Sequence, residues 1–465
     1  MQDKVFIGDL IDEALSTGGD FAEIYVEDTE SNALTMLGGK VYKASAGRDY
    51  GIGIRIFNGY NAIYAYCSGN DKDEIVKIVK KAAQAINGQT VLKGSVLVDD
   101  THENINIIKI APRDIIKSRK VELMRRAYNA AKNYDSMISQ VSVNYSDSKK
   151  HVLIANSTGK FIEDDRTYTR IYISAVAQKD GEMQTGGVGP GAHQGFEFFD
   201  SIDIEEKAIN AARVAVTMAN AEYCPGGKMP VILANGFGGV IFHEACGHGL
   251  EATSVAKGNS VFAGRLGEQV ASEKVTAIDD GTIPNAWGST NIDDEGTPTR
   301  KNVLIEKGIL KGYMIDILNG RRMNSKPTGN GRRQSFRYAP TSRMTNTFIA
   351  PGDDTFEDII ANTEYGLYAA KMGGGSVNPS TGEFNFAVME GYIVKNGKIT
   401  KPVRGATLIG KGDDVLKRID MVAKDLDYGQ GLCGSLSGSV PTNVGQPAIR
   451  VGEMIVGGRN GDNNG

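Results

Sequence analysis

The chain has 465 residues, 40% of them hydrophobic and 23% charged, with a formal net charge of −4. This is the balance of an ordinary folded protein of several domains, and it excludes any general attraction to nucleic acid or anionic membranes. No apolar run reaches the roughly eighteen residues of a membrane span, residues 1–30 carry Asp3, Asp9, Asp12 and Glu13 where a signal core would lie, and four scattered cysteines make no disulfide framework, so a cytoplasmic protein is expected.

Residues 4–18 place Ile7, Leu10, Ile11, Ala14 and Leu15 on one helical face. Residues 21–68 read as a meander of short strands at 21–26, 33–37, 41–44, 51–57 and 62–66, with turns at Gly38-Gly39 and Asn58-Gly59. A helix follows over 71–87, then a mixed connection to residue 111. The order recurs: helix over 113–133, strands at 137–145, 151–156, 160–163, 168–178 and 182–187, helix over 203–222. Helix, meander and helix thus appear twice, which reads as an internal duplication. The expected fold class is α+β, with domains at 1–111 and 112–222.

The run Gly186 to Gly195 is glycine-rich but matches no nucleotide fingerprint, and no Lys-Ser/Thr follows it. It is expected to be a loop, with His193 on its solvent side. From residue 223 short strands with glycine turns dominate, including 303–305, 312–315, 384–388 and 392–394, with a further helix over 413–424. Residues 223–456 therefore read as a β-rich domain, and the Gly/Asn-rich tail 457–465 as disordered.

One stretch in that domain carries chemistry. His243, Glu244, Cys246 and His248 lie within six residues, in a chain with only five histidines. Histidine is the commonest metal ligand, and a Glu beside a ligand His is the general-base arrangement of zinc peptidases. Those enzymes space their histidines four apart, whereas five residues turn about 140° around an ideal helix. One metal can take both only if a π-bulge realigns them, or if the helix ends near Gly247 and His248 sits on the following turn. A third ligand is needed. Cys246, three residues after His243, could share its helix face; Cys433, between glycines in a loop-like stretch, is freer to approach the helix. Cys67 and Cys224 read as buried thiols. Asp293, Asp294 and Glu295 before Gly296 read as an acidic turn.

The run from His243 to Glu251 resembles the signature of the TldD/PmbA family, in its metal-bearing, TldD-like branch. Asp293 to Pro298, Arg337 to Asn346, Ser380 to Phe384, Gly405 to Gly410, Cys433-Gly434 and Val444 to Pro447 agree with it. The resemblance implies a cytoplasmic zinc metallopeptidase acting on unfolded or short peptides. It implies His243, His248 and Cys433 as ligands, Glu244 as base, and pairing with a second copy or a PmbA/TldE-like subunit. Arg337, Tyr338 and Asn346 are candidate substrate-binding groups, being polar side chains in a family-like segment. The alternative is a non-catalytic partner or scaffold subunit, against which the intact histidine motif and Cys433 argue.

Overall fold

The computed structural model describes residues 3–86, 88, 92–378 and 381–459. The N-terminal half is built on one eight-stranded sheet, and the rest on a second eight-stranded sheet, a six-stranded sheet and a small ribbon. This is an α+β fold. Among the described residues no helix is long and apolar enough to cross a membrane.

The five short strands expected over 21–68 are three long ones, Phe21–Leu37, Lys40–Asn58 and Asn61–Ser68. The polar residues that seemed to interrupt them stay in the ladder, because a solvated strand loses no backbone pairing when its side chains are charged. Phe21 pairs with Phe57 and Leu37 with Lys40, the register shifting once between Thr35 and Met36. Gly38 and Gly39, at φ +57° and +74°, close that hairpin as a turn with two left-handed residues requires. The second unit merges in the same way into Ile138–Asn156 and Lys160–Lys179, followed by Glu182–Val188.

The two units meet through their first strands. Phe21–Leu37 lies antiparallel to Ile138–Asn156, from Glu23 opposite Asn156 to Leu37 opposite Ser142. Reading outwards from that seam, first, second and third strands repeat on both sides. Each unit's two helices pack on the sheet: Lys4–Leu15 and Lys72–Gln84 over Ile24, Ile52 and Ile54, and Lys117–Lys132 and Ile204–Ala219 over Val143, Ile171 and Ile173. Asp71 and Asp203 cap two of these helices with their side chains.

Three sequence expectations change here. Only Gly412–Lys417 of the span 413–424 is helical, because Ile419–Val422 is drawn into the sheet opposite Ile449–Gly457. Residues 312–315 form no strand; Met314 makes a single bridge to Glu251. Residues 384–388 and 392–394 are one strand, Glu383–Lys395. Of the tail 457–465, Gly457 ends the last strand and everything beyond Arg459 lies outside the described residues.

The halves are locked by buried charge. Arg55 bridges Glu23 and Glu295, each at 2.6 Å; Arg333 reaches the other oxygen of Glu23 at 2.6 Å; Arg166 joins Asp164 at 2.9 Å to Asp294 at 2.5 Å. The acidic turn read at Asp293–Glu295 is thus a turn, but a buried one whose carboxylates face arginines of the N-terminal sheet. Asp293 accepts backbone N–H bonds from Glu295, Thr297 and Gly331. Removing one member strands a buried opposite charge. Arg55→Met should therefore cost about 3–5 kcal/mol in chemical denaturation, with part of the loss recovered by adding Glu295→Gln.

Candidate metal centre

The helix carrying His243 is short, Val240–Ala245. It begins where Gly239 passes the partner strand so closely that a Cβ would stand 2.6 Å from the Gly445 carbonyl oxygen. It ends at Cys246, whose φ −129° and ψ −45° leave the helical region, and a 3₁₀ turn, Gly247–Leu250, then carries His248. The five-residue spacing is therefore accommodated by a helix break and a new turn, not by a π-bulge. The departure occurs one residue before Gly247. Gly247 is needed for space, since a Cβ there would meet Met344 Sδ at 2.3 Å.

The break turns both imidazoles towards Cys433. His243 Nε2 lies 3.2 Å and His248 Nε2 3.3 Å from Cys433 Sγ, with the rings nearly perpendicular at 82°. The three donor atoms lie within 4.8 Å of one another. A tetrahedral zinc with ordinary bond lengths would hold sulfur and nitrogen about 3.6 Å apart, so the two sulfur–nitrogen distances differ from that by only a few tenths of an ångström. Burial alone would push the Cys433 thiol up; the charge and hydrogen bonds of the two imidazoles outweigh it and bring it down to about 4. His248 is raised well above its usual value: burial works against its charge, but Glu251 and Cys433 overcome it. Both shifts run towards a thiolate paired with an imidazolium, and thiolate is the form in which cysteine ligates a metal.

Two residues given no role from sequence hold this cluster. Glu251 accepts from His248 Nδ1 at 3.1 Å, which leaves Nε2 aimed at the sulfur. Arg343, fully buried, donates to the Cys433 carbonyl, and at 2.9 and 2.8 Å to Ser437 Oγ and the Gly438 carbonyl. It thereby ties down both arms of the hairpin that presents Cys433. A carboxylate three residues after a candidate ligand His was a readable signal for Glu251; nothing local marked Arg343. Glu244 is half-buried, its Oε2 3.7 Å from His248 Nε2.

Cys246 points away, into the apolar core with Phe242, Val415 and Leu416, where burial raises its thiol. Arg337 pairs with Asp49 on the N-terminal sheet. Asn346 is fully buried, accepting from Gly288 N and donating to the Asp280 carbonyl and Ser289 Oγ. Tyr338 closes a turn on Ser335. None of these three shares a hydrogen bond with the His–His–Cys cluster among the described residues. His193, expected on a solvent-side loop, is instead fully buried: it stacks on Tyr168 at 4.6 Å and bonds the Ser289 carbonyl at 2.9 Å. The glycine run before it is not a free loop either, as residues up to Val188 pair with Lys160–Lys179.

Three family models match the chain: PmbA/TldA metallopeptidase domain 1 over residues 22–86, the central domain over 110–219 and the C-terminal domain over 226–458. A Metalloprotease TldD homolog of Haemophilus influenzae is 39% identical over 455 residues, 95% of this chain and 93% of that protein. A Zinc metalloprotease TldD homolog of Saccharolobus solfataricus is 29% identical over 451 residues, 96% and 99% of the two chains. The crystal structure of TldE from Thermococcus kodakarensis has the same fold, with a TM-score of 0.77 at 20% identity over 97% and 99% of the chains.

The ion pair has a direct signature. In metal-free protein the ultraviolet thiolate absorbance, wild type minus Cys433→Ser, should persist through neutral pH and vanish on acidification with a midpoint near 4. A midpoint in the ordinary thiol range, about 8.5, would show that the imidazoles do not hold the sulfur as drawn.

Proposed function

The chain belongs to the PmbA/TldD metallopeptidase family, and from that premise we propose that this metallopeptidase hydrolyses short or unfolded peptides at a zinc ion held by His243, His248 and Cys433, with Glu244 as general base. The observation that carries the reading is the convergence of two Nε2 atoms and one thiolate from segments 185 and 190 residues apart in the chain. Two imidazoles with a soft sulfur suit zinc, and hard oxygen-seeking cations poorly.

Zinc bound there would supply Lewis acidity and bring a water's pKa towards about 7. Glu244, one residue from His243 and open to solvent on one side, is placed to take that water's proton as its oxygen attacks a peptide carbonyl. The same carboxyl then returns the proton to the leaving amine. Glu251 keeps the His248 ring from rotating during this exchange.

The strand that carries Cys433 supports the substrate class. Asp427–Ser435 is the last strand of the six-stranded sheet, paired on one side with Gly438–Gln446. Its other edge can take an extended peptide through main-chain hydrogen bonds, which read little side-chain identity. A folded protein keeps its own backbone bonds and must open locally first. Pairing with a second copy or a TldE-like subunit belongs to the same proposal, supported by the shared fold with TldE.

Purified protein should carry about one zinc per chain, and Cys433→Ser should lose most of it, because a hydroxyl replaces thiolate poorly. Glu244→Gln should keep the metal and lose nearly all hydrolysis, since an amide cannot accept the proton. Metal analysis and mass-spectrometric cleavage assays check both; full turnover in Glu244→Gln removes that residue from the mechanism. A protein compared in folded and destabilised forms should be cut faster when destabilised, and equal rates would sink the substrate assignment.

A further inference from the structure

The strand that presents Cys433 is paired on one side, with Gly438–Gln446, and its other edge faces no strand. Which residues turn towards that outer edge follows from the partner strand. The Asn443 N–H bonds the Thr345 carbonyl, the Pro441 carbonyl accepts from Arg332, and the Ser439 N–H bonds Gln334 Oε1. All three turn away from the cysteine strand. The residues opposite them are Gln430, Leu432 and Gly434. Residues that face each other in an antiparallel pair without exchanging hydrogen bonds point their N–H and C=O groups to the two outer sides. The outer edge therefore presents Gln430, Leu432 and Gly434, and by the same alternation Tyr428, opposite Gly445.

The first half of that edge is already occupied. The Tyr428 N–H donates to Asp427 Oδ1 at 2.8 Å, and the Tyr428 carbonyl accepts from Gln430 Nε2 at 3.4 Å. The Gln430 carbonyl accepts from Arg170 Nη2 at 3.1 Å. Arg170 is fixed in that position. Its Nε donates to the Gly189 carbonyl at 3.2 Å, and its guanidinium lies 5.3 Å from the ring of Trp287, whose own N–H bonds the Gly431 carbonyl. Leu432 and Gly434, on either side of Cys433, are exposed, and among the described residues no side chain bonds their N–H or C=O groups. Room is not what separates the two halves, because a groove of about 650 Å³ runs beside Tyr428, Gly429 and Gln430. The difference lies in which backbone groups are still free to pair.

We propose that Arg170 is a stop for substrate pairing: by occupying the Gln430 carbonyl it confines the backbone grip on a peptide to Leu432 and Gly434, the two open positions that flank Cys433. The inference rests on the peptide-hydrolase reading and adds a footprint to it. The backbone is gripped over about three residues, out of a strand of nine, and the grip is centred where the imidazoles meet the sulfur. A longer peptide leaves the strand at Gln430 and continues in the groove unpaired, so short peptides are held as firmly as long ones. Arg170 is a positioning residue in this scheme, acting on the substrate only through the carbonyl it covers. Filling edge groups with fixed side-chain donors also guards that half of the strand against pairing with other chains.

The test is equilibrium binding of a fluorescent, extended, uncharged peptide to full-length Glu244→Gln protein with zinc added. Each peptide amide in turn is replaced by an ester, which deletes one N–H and keeps the shape of the chain. Alternate residues of a peptide face the strand it pairs with, whichever way it runs. Two N–H groups, two residues apart, should therefore each weaken binding about fivefold when deleted, and the others should change it little. Adding Arg170→Met should create a third sensitive N–H, two residues from one of the first two. Any pattern with Arg170 intact other than two groups two residues apart overturns the stop. So does a pattern that stays at two in folded, zinc-binding Arg170→Met protein. Should that variant not fold, the pattern with Arg170 intact decides. Failure of every peptide to bind, or of wild type to cleave an unfolded peptide, counts against the hydrolase reading and removes the stop with it. Normal cleavage with a different ester pattern counts against the stop alone.

Discussion

Everything at the centre depends on one sulfur meeting two imidazoles. Cys433 Sγ lies 3.2 and 3.3 Å from the two Nε2 atoms, and each contributor to that meeting is held by something different. His243 is held by a helix pressed against the Gly438–Gln446 strand. His248 is held by a turn made possible by the break at Cys246 and by the carboxylate of Glu251. Cys433 is held by Arg343, which bonds the hairpin's carbonyls on both sides of its turn. The downward shift of Cys433 and the upward shift of His248 both run towards a mutually attractive thiolate and imidazolium. The fold brings the three donor atoms together within 4.8 Å.

Arg343 and Glu251 also face each other, Nε to Oε1, at 3.9 Å. This is longer than a hydrogen bond, yet close enough for each charge to lower the other's cost of burial. The two residues that hold the ligands are therefore coupled, and a shift of the cysteine hairpin would be felt at His248 through them. On a larger scale, Arg55, Arg166 and Arg333 fix the N-terminal sheet on the catalytic half with planar, paired donors. Buried ion pairs of this kind are better at specifying one docking geometry than at adding stability. Nearer the cluster, the Trp287 indole N–H bonds the Gly431 carbonyl, two residues from Cys433.

The cysteine strand unites these features. It is an edge strand, and it carries the cysteine that the two imidazoles meet. An edge strand is ordinarily a liability, open to pairing with any other chain.

Much of this was written in local sequence. The helices at residues 4–15, 72–84 and 204–219 follow from apolar periodicity, and the hairpin turns follow from Gly38-Gly39 and Asn58-Gly59. The pair His243 and His248 with Glu244 singled out the candidate site, because few other arrangements place those groups so close. What local sequence left open depended on distant partners. Strand length was one case: Phe21–Leu37 is continuous because Lys40–Asn58 and Ile138–Asn156 pair with it on both sides, while the side-chain pattern reports burial only. Residues 419–422 are a strand because Ile449–Gly457 lies beside them. Residue spacing left Cys246 and Cys433 as rival ligands; Cys246 turns into the core because the helix breaks at that residue, and Cys433 arrives because Arg343 holds a hairpin 90 residues away. Periodicity and motif are properties of neighbours along the chain, so they specify elements and chemistry. Which cysteine meets the histidines, strand extent and buried charge are decided by which surfaces meet, and only the tertiary structure decides that.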